Sequence, residues 1–286
     1  MSIGILPHAL RKEKHLALLP VDSVNWPQGQ PDHALTLGDL TAKDHLVVYP
    51  SSTRLLRRNA DLTCKLSLLM AEPHTIHGKY YALLGLIRKR FTLVISSYAV
   101  YANRYSNVLT MPVVESWVSP KCATEAHTKT KMCSLIASKK RDLVGHRLRH
   151  TIANWAKTNQ PNIELLGRGY QPFKDKEDGL LLYHYSIVVE NCQEEDYYTE
   201  KLLDAMLCDC LPIYWGCPNI ASHFDPKGLI ICTNEAELIM ACENLATPTQ
   251  VQLAAATKNK KIAVSLSNLN LRICQRISLH NGFLSR

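Results

Sequence analysis

From residue 130 to 245 short apolar runs alternate with stretches whose apolar positions recur at helical spacing, which predicts strands and crossover helices of a parallel α/β sheet. Residues 131–138, 162–166, 185–189, 211–215 and 229–232 read as strands, each an apolar run bounded by polar or turn-forming residues. Leu202, Leu203, Met206 and Leu207 line one face of a helix that starts after Thr199, a good N-cap residue, and residues 235–245 predict another. In the first part of the chain, runs at 2–6, 15–20, 46–49, 65–70 and 92–96 predict strands. Ile76, Tyr80, Leu83, Leu84 and Ile87 predict a helix over 75–90, while Pro27, Gly29 and Pro31 make 25–32 a loop. Residues 111–122 carry proline near both ends and little periodicity, so they read as a connector between a domain at 1–120 and a second at 121–286. The tail, with Ile262, Val264, Leu266, Leu269, Ile273 and Ile277, predicts helix packing back across that junction.

In parallel sheets ligands bind at the carboxyl ends of the strands. The strand 185–189 ends in Glu190 and Asn191, and the polar loop 190–199 leads to Glu200 and Lys201 in the first helical turn, where free backbone N–H groups and the helix dipole attract anions. Lys201 suits a diphosphate, Glu200 a ribose hydroxyl, and Tyr197 or Tyr198 a ring or an oxygen. After the strand at 131–138 comes a basic run, Lys139, Lys140, Arg141, His146, Arg147, Arg149 and His150. No aromatic residue is interleaved with it, which argues against a nucleic-acid surface. Gly167-Arg168-Gly169 follows the next strand, and its glycines permit either a close approach to a ligand or a plain tight turn. Glu72 stands directly after the strand 65–70 and before Pro73, with His74 and His77 nearby.

Charge sharpens the picture without choosing a ligand. The net charge of +8 favours an anionic partner such as a nucleotide diphosphate, a nucleic acid or a membrane surface. The ten cysteines include no Cys-x-x-Cys pair and many lie in apolar runs, which points to reduced core thiols in a cytosolic protein. Cys208, Cys210 and Cys217 lack the spacing and the histidine pair of common zinc modules. No apolar window reaches about 18 residues and no Asn-x-Ser/Thr sequon occurs, so the expectation is a soluble, bacterial-like protein, in the cytoplasm or peripheral on the inner face of a membrane.

Over 130–245 the residues resemble the donor-binding region of the α-1,3/4-fucosyltransferases, glycosyltransferase family 10. The resemblance is carried by Glu190-Asn191, Tyr197-Tyr198-Thr199-Glu200-Lys201, Asp204, the run from Pro212 to Pro218, and Phe224-Asp225-Pro226. It implies a GT-B-like α/β fold, two Rossmann-like domains facing across a cleft, the first on the acceptor side and the second binding the donor. It implies GDP-fucose as donor, a glycan acceptor with N-acetylglucosamine, and inverting transfer. By the same resemblance Arg149, with Arg147 as second choice, joins Lys201 on the diphosphate. Glu190, Asn191, Tyr197, Thr199, Glu200 and Arg168 surround the donor, and Glu72 is the general base. The acidic loop Glu194, Glu195 and Asp196 departs from the family pattern and leaves sugar and acceptor preference open. No Asp-x-Asp occurs, which favours transfer without a metal or other cofactor. A GT-B enzyme with another nucleotide sugar and a non-catalytic nucleotide- or glycan-binding protein are the alternatives.

Overall fold

The computed structural model describes residues 1–56, 61–125 and 127–284. In chain order its elements are β1 (Ile3–Ile5), β2 (His45–Val48), α1 (Ser52–Leu56), β3 (Lys65–Met70), α2 (His74–Ile87), β4 (Leu93–Ser96), α3 (Ala99–Arg104) and β5 (Val108–Thr110). They continue with α4 (Lys121–Thr124), β6 (Lys131–Ile136), α5 (Val144–Asn159), β7 (Ile163–Leu166), β8 (Tyr183–Val189), α6 (Glu200–Leu207), β9 (Leu211–Trp215), β10 (Ile230–Ile231), α7 (Glu235–Glu243), α8 (Gln250–Leu266) and α9 (Leu269–Leu284). Contacts divide the chain into one unit of Met1–Val113 with Asn268–Arg286 and another of Val114–Ser267. The boundary thus falls ahead of the expected 120/121, and the C-terminal helix leaves the second domain for the first.

The first unit's sheet explains that reassignment. Its strands run parallel in the order β1-β2-β3-β4-β5. Right-handed crossovers between successive neighbours all fall on the same face, and α2 packs there through Tyr81, Leu84 and Ile87. The opposite face, with Ile3, Ile5, Val47, Leu69, Leu93 and Ile95, needs a cover from elsewhere in the chain. Leu269, Ile273, Cys274 and Ile277 of α9 supply it. The run at 15–20, expected as a strand, forms a 3-10 turn at Leu16–Leu18. Leu16 is buried there but Leu18 is 76% exposed, so the run has too little apolar surface facing one side to enter the sheet.

The second unit is also a parallel five-stranded sheet, but its order is β10-β9-β8-β6-β7. From β6 the chain moves to β7 on one side, and from β8 it moves to β9 on the other. The reversal puts α5 and α7 on one face and α6 and α8 on the other. It also opens a crevice where the carboxyl ends of β6 and β8 diverge, the place where doubly wound sheets take ligands. Both units are thus Rossmann-like. All ten cysteines are buried and unpaired, spread through the packed cores of both units.

Candidate functional site

The loops at the β6/β8 crevice are built against one another. Gly145, in the first turn of α5, donates its N–H to Asn191 O at 3.1 Å. A Cβ on Gly145 would stand 1.7 Å from Glu190 O, so only glycine lets the start of α5 approach the end of β8 this closely. Gly216 makes the matching approach from β9, because a Cβ there would lie 2.6 Å from both Glu190 Cγ and Tyr214 Oη.

Between these glycines the Glu190 side chain is 0% exposed. It accepts from Thr199 N–H and Thr199 Oγ1, each at 2.8 Å, and from Lys201 Nζ at 3.4 Å. Lys201 Nζ also donates to Thr199 Oγ1 at 2.8 Å and Glu200 Oε1 at 3.2 Å. Thr199 is the N-cap, its Oγ1 accepting from Lys201 N–H, so a single residue ties together strand end, helix start and ammonium group. Burial pulls the Lys201 pKa down, but Glu190 and Glu200 outweigh it and the group titrates above the ordinary lysine value. Burial pushes Glu200 up, while Lys201 and Lys176 bring it below the usual glutamate value, so the pair is charged at neutral pH.

Arg149 lies in the second turn of α5 and is 5% exposed. Its Nε and Nη2 donate to Val189 O at 2.8 and 2.6 Å, and Nη2 also reaches Asn191 Oδ1 at 2.9 Å. Burial lowers its pKa, with Glu190 and Glu200 opposing, and it contributes a repulsion that Lys201 feels. The crevice therefore carries two cations, and the carboxylates of Glu190 and Glu200 hold one of them in place. Such an arrangement suits an anion with more than one charged oxygen.

The sequence expectations separate here. Arg149, Asn191, Thr199, Glu200 and Lys201 come together. Arg147 does not: it is exposed, bonded to Asp142 O at 2.8 Å, and lines an open pocket of about 340 Å³ with Thr151, Gln193, Thr233 and Asn234. Two positions along a helix turn a side chain to another face, so Arg147 and Arg149 point to different surfaces. Glu190, expected to touch the donor, has no exposed surface here, and its carboxylate bonds Thr199 and Lys201. Tyr197 and Tyr198, expected to meet a ring or an oxygen, are both buried. Tyr198 packs edge-on against Phe224, at 5.4 Å between ring centroids.

Arg168 is exposed on the loop after β7. The flanking glycines serve packing: Gly167 has φ +95°, and Cβ atoms on Gly167 and Gly169 would meet Ala137 O at 2.6 Å and Ser138 O at 2.8 Å. Glu72 is half-buried at the carboxyl end of β3 in the first unit, as expected, and its carbonyl accepts from Tyr81 Oη at 3.2 Å.

Sequence reasoning missed a latch. Asp196 has φ +61°, tolerated by aspartate, and its backbone N–H and carboxylate both bond Asn219, at 2.9 Å each. His223 Nε2 adds a third contact to Asp196 Oδ1 at 2.9 Å. Asp196, part of the acidic loop that departs from the family pattern, pins the 190–199 loop to the turn after β9. Nothing in the local sequence pairs residues 23 positions apart.

No family model matches the chain. It is 40% identical over 57 residues to the α-(1,3)-fucosyltransferase FucT of Helicobacter pylori, a match covering 20% of this chain and 12% of that relative's length. A crystal structure of an α1,3-fucosyltransferase with GDP-fucose matches 81% of this chain and 72% of its own, with TM-score 0.51 and 19% identity. The chain resembles the α-1,3-fucosyltransferases. A structure of Anabaena Alr3699/HepE with UDP and glucose, 12% identical and covering 81% of this chain and 77% of its own, reaches a TM-score of 0.58. These likenesses identify the fold as the GT-B type of glycosyltransferases. In this fucosyltransferase-like chain the crevice cluster occupies the switch point of the second unit, while Glu72 belongs to the first.

Proposed function

We propose that the chain is a fucosyltransferase, moving fucose from GDP-fucose to a hydroxyl of a glycan acceptor. The observation that carries the reading is the pairing of Arg149 and Lys201 at the switch point of a chain resembling fucosyltransferases in sequence and fold. The diphosphate lies between these cations at the start of α6, where the backbone N–H groups add to the positive potential. Glu200 accepts a hydrogen bond from a ribose hydroxyl. Glu190 and Thr199 do not touch the donor and hold the Lys201 ammonium where the leaving charge develops.

Transfer proceeds in one displacement with inversion. Glu72 takes the proton of the acceptor hydroxyl as an oxocarbenium-like sugar forms, and Lys201 with Arg149 stabilises the departing GDP. The cations and the helix terminus supply the stabilisation, so we assign no metal or other cofactor. The acceptor is N-acetylglucosamine in a lipopolysaccharide-type or other surface glycan, met in the cytoplasm or at the inner face of the membrane. Among the described residues no helix is long and apolar enough to cross a membrane.

A panel of nucleotide sugars in a diphosphate-release assay with glycan acceptors tests the reading. GDP-fucose is expected to give the highest kcat/KM, and Glu72→Gln to lower kcat by at least about a hundredfold with GDP binding retained. A preference for a UDP-sugar would favour the enzyme class without fucose, a reading that the likeness to the UDP- and glucose-bound structure supports. Binding of GDP with no turnover of any donor would leave a binding protein.

A further inference from the structure

Asp204 takes no part in the crevice cluster, yet its carboxylate is buried within the second unit at 0% exposure. It accepts from Ser116 Oγ at 2.8 Å and Trp117 N–H at 3.0 Å, and pairs with Lys176 Nζ at 2.6 Å. Burial raises its pKa above the usual aspartate value, outweighing Lys176 and the two hydrogen bonds that pull it down. A carboxylate without exposed surface costs free energy unless fully partnered, and here the partners fix the turn at 116–118, where Ser116 Oγ also accepts from Val118 N–H at 3.2 Å.

What that anchor holds in place is Trp117, which is 68% exposed. Lys176 Nζ lies 4.8 Å from its ring centroid. A tryptophan left in water adds little to the core, so its fixed mounting is not explained by folding. Its position points to the site: Asp204 stands three residues, about 4.5 Å, along α6 from Lys201, and the charge of Lys176 acts on both Asp204 and Glu200. Ring, ammonium and carboxylate thus stand together beside the helix that carries the phosphate-binding lysine.

We propose that Trp117 stacks on the hexose of the nucleotide sugar, with Asp204 as its positioning residue. The inference rests on the donor reading above. In a nucleotide sugar the hexose is attached to the distal phosphate, so it is one of the rings next to the Arg149–Lys201 anchor. A pyranose offers polarised C–H groups to the negative face of the indole, while its hydroxyls suit Lys176 and Glu200.

The test compares GDP with GDP-fucose, because only the latter carries the hexose. Trp117→Ala is expected to raise KM for GDP-fucose about three- to tenfold with the inhibition constant of GDP unchanged. Trp117→Phe should recover most of the loss, and Asp204→Asn should raise KM in the same sense. Of the four tryptophans, Trp117 alone is exposed among the described residues, so GDP-fucose should change the emission of the wild type and not of Trp117→Phe. An unchanged KM, or a parallel loss of GDP affinity, overturns the hexose contact while leaving the donor site intact. Failure of the wild type to bind GDP at all overturns the donor reading and the inference together.

Discussion

Lys201 illustrates how a residue's chemistry is set by its neighbours. Its ammonium is fixed by the buried Glu190 carboxylate and the Thr199 hydroxyl, and Thr199 is also the helix cap. The sequence made Thr199, Glu200 and Lys201 legible because cap and first-turn residues follow a local rule. It did not reveal that Glu190 faces inward, since a glutamate ending a strand reads as exposed until the elements that close over it are known. Gly145 offered a usable signal: a glycine in the first turn of a helix, where its own propensity is poor, marks a close approach of backbone. Gly145→Ala is predicted to destabilise the fold by more than about 2 kcal/mol, because the clash at 1.7 Å is with backbone and no rotamer relieves it. Chemical denaturation of the two proteins measures this, and equal midpoints with equal slopes would contradict the packing described.

At the scale of elements, strands and helices with one clear apolar face were legible, and the misses share a cause. Whether residues 15–20 join a sheet, and which sheet α9 covers, depends on partners far along the chain rather than on periodicity. Burial within an element also carries a pH dependence. His45 of β2 is 0% exposed, with Nε2 2.7 Å from Ser67 Oγ, and burial first, then Lys65, lowers its pKa to about 4. The folded first unit therefore resists a proton that the unfolded chain accepts below about pH 6.5. This contribution is fully present above that value and declines as pH falls toward 4, by up to about 1.4 kcal/mol per pH unit. Unfolding free energies between pH 7 and 4 should fall more steeply for the wild type than for His45→Gln. Parallel curves would show that His45 takes up its proton in the fold as readily as in the unfolded chain.

On the scale of the whole molecule, two sheets of the same size do different work because their strand orders differ. The first runs in simple sequence and borrows a terminal helix to cover one face; the second reverses direction and so acquires a crevice. The excess of positive charge read from composition is used sparingly, since at the crevice two cations matter and Glu190 and Glu200 constrain one of them. In the proposed reading this crevice binds a nucleoside diphosphate through Lys201. Calorimetric titration of GDP into the wild type and Lys201→Ala tests it most directly. Binding by the wild type is expected, with a loss of at least about tenfold in affinity for the variant and thermal stability showing that it remains folded. Equal affinities for the two proteins, or no binding by either, would contradict it.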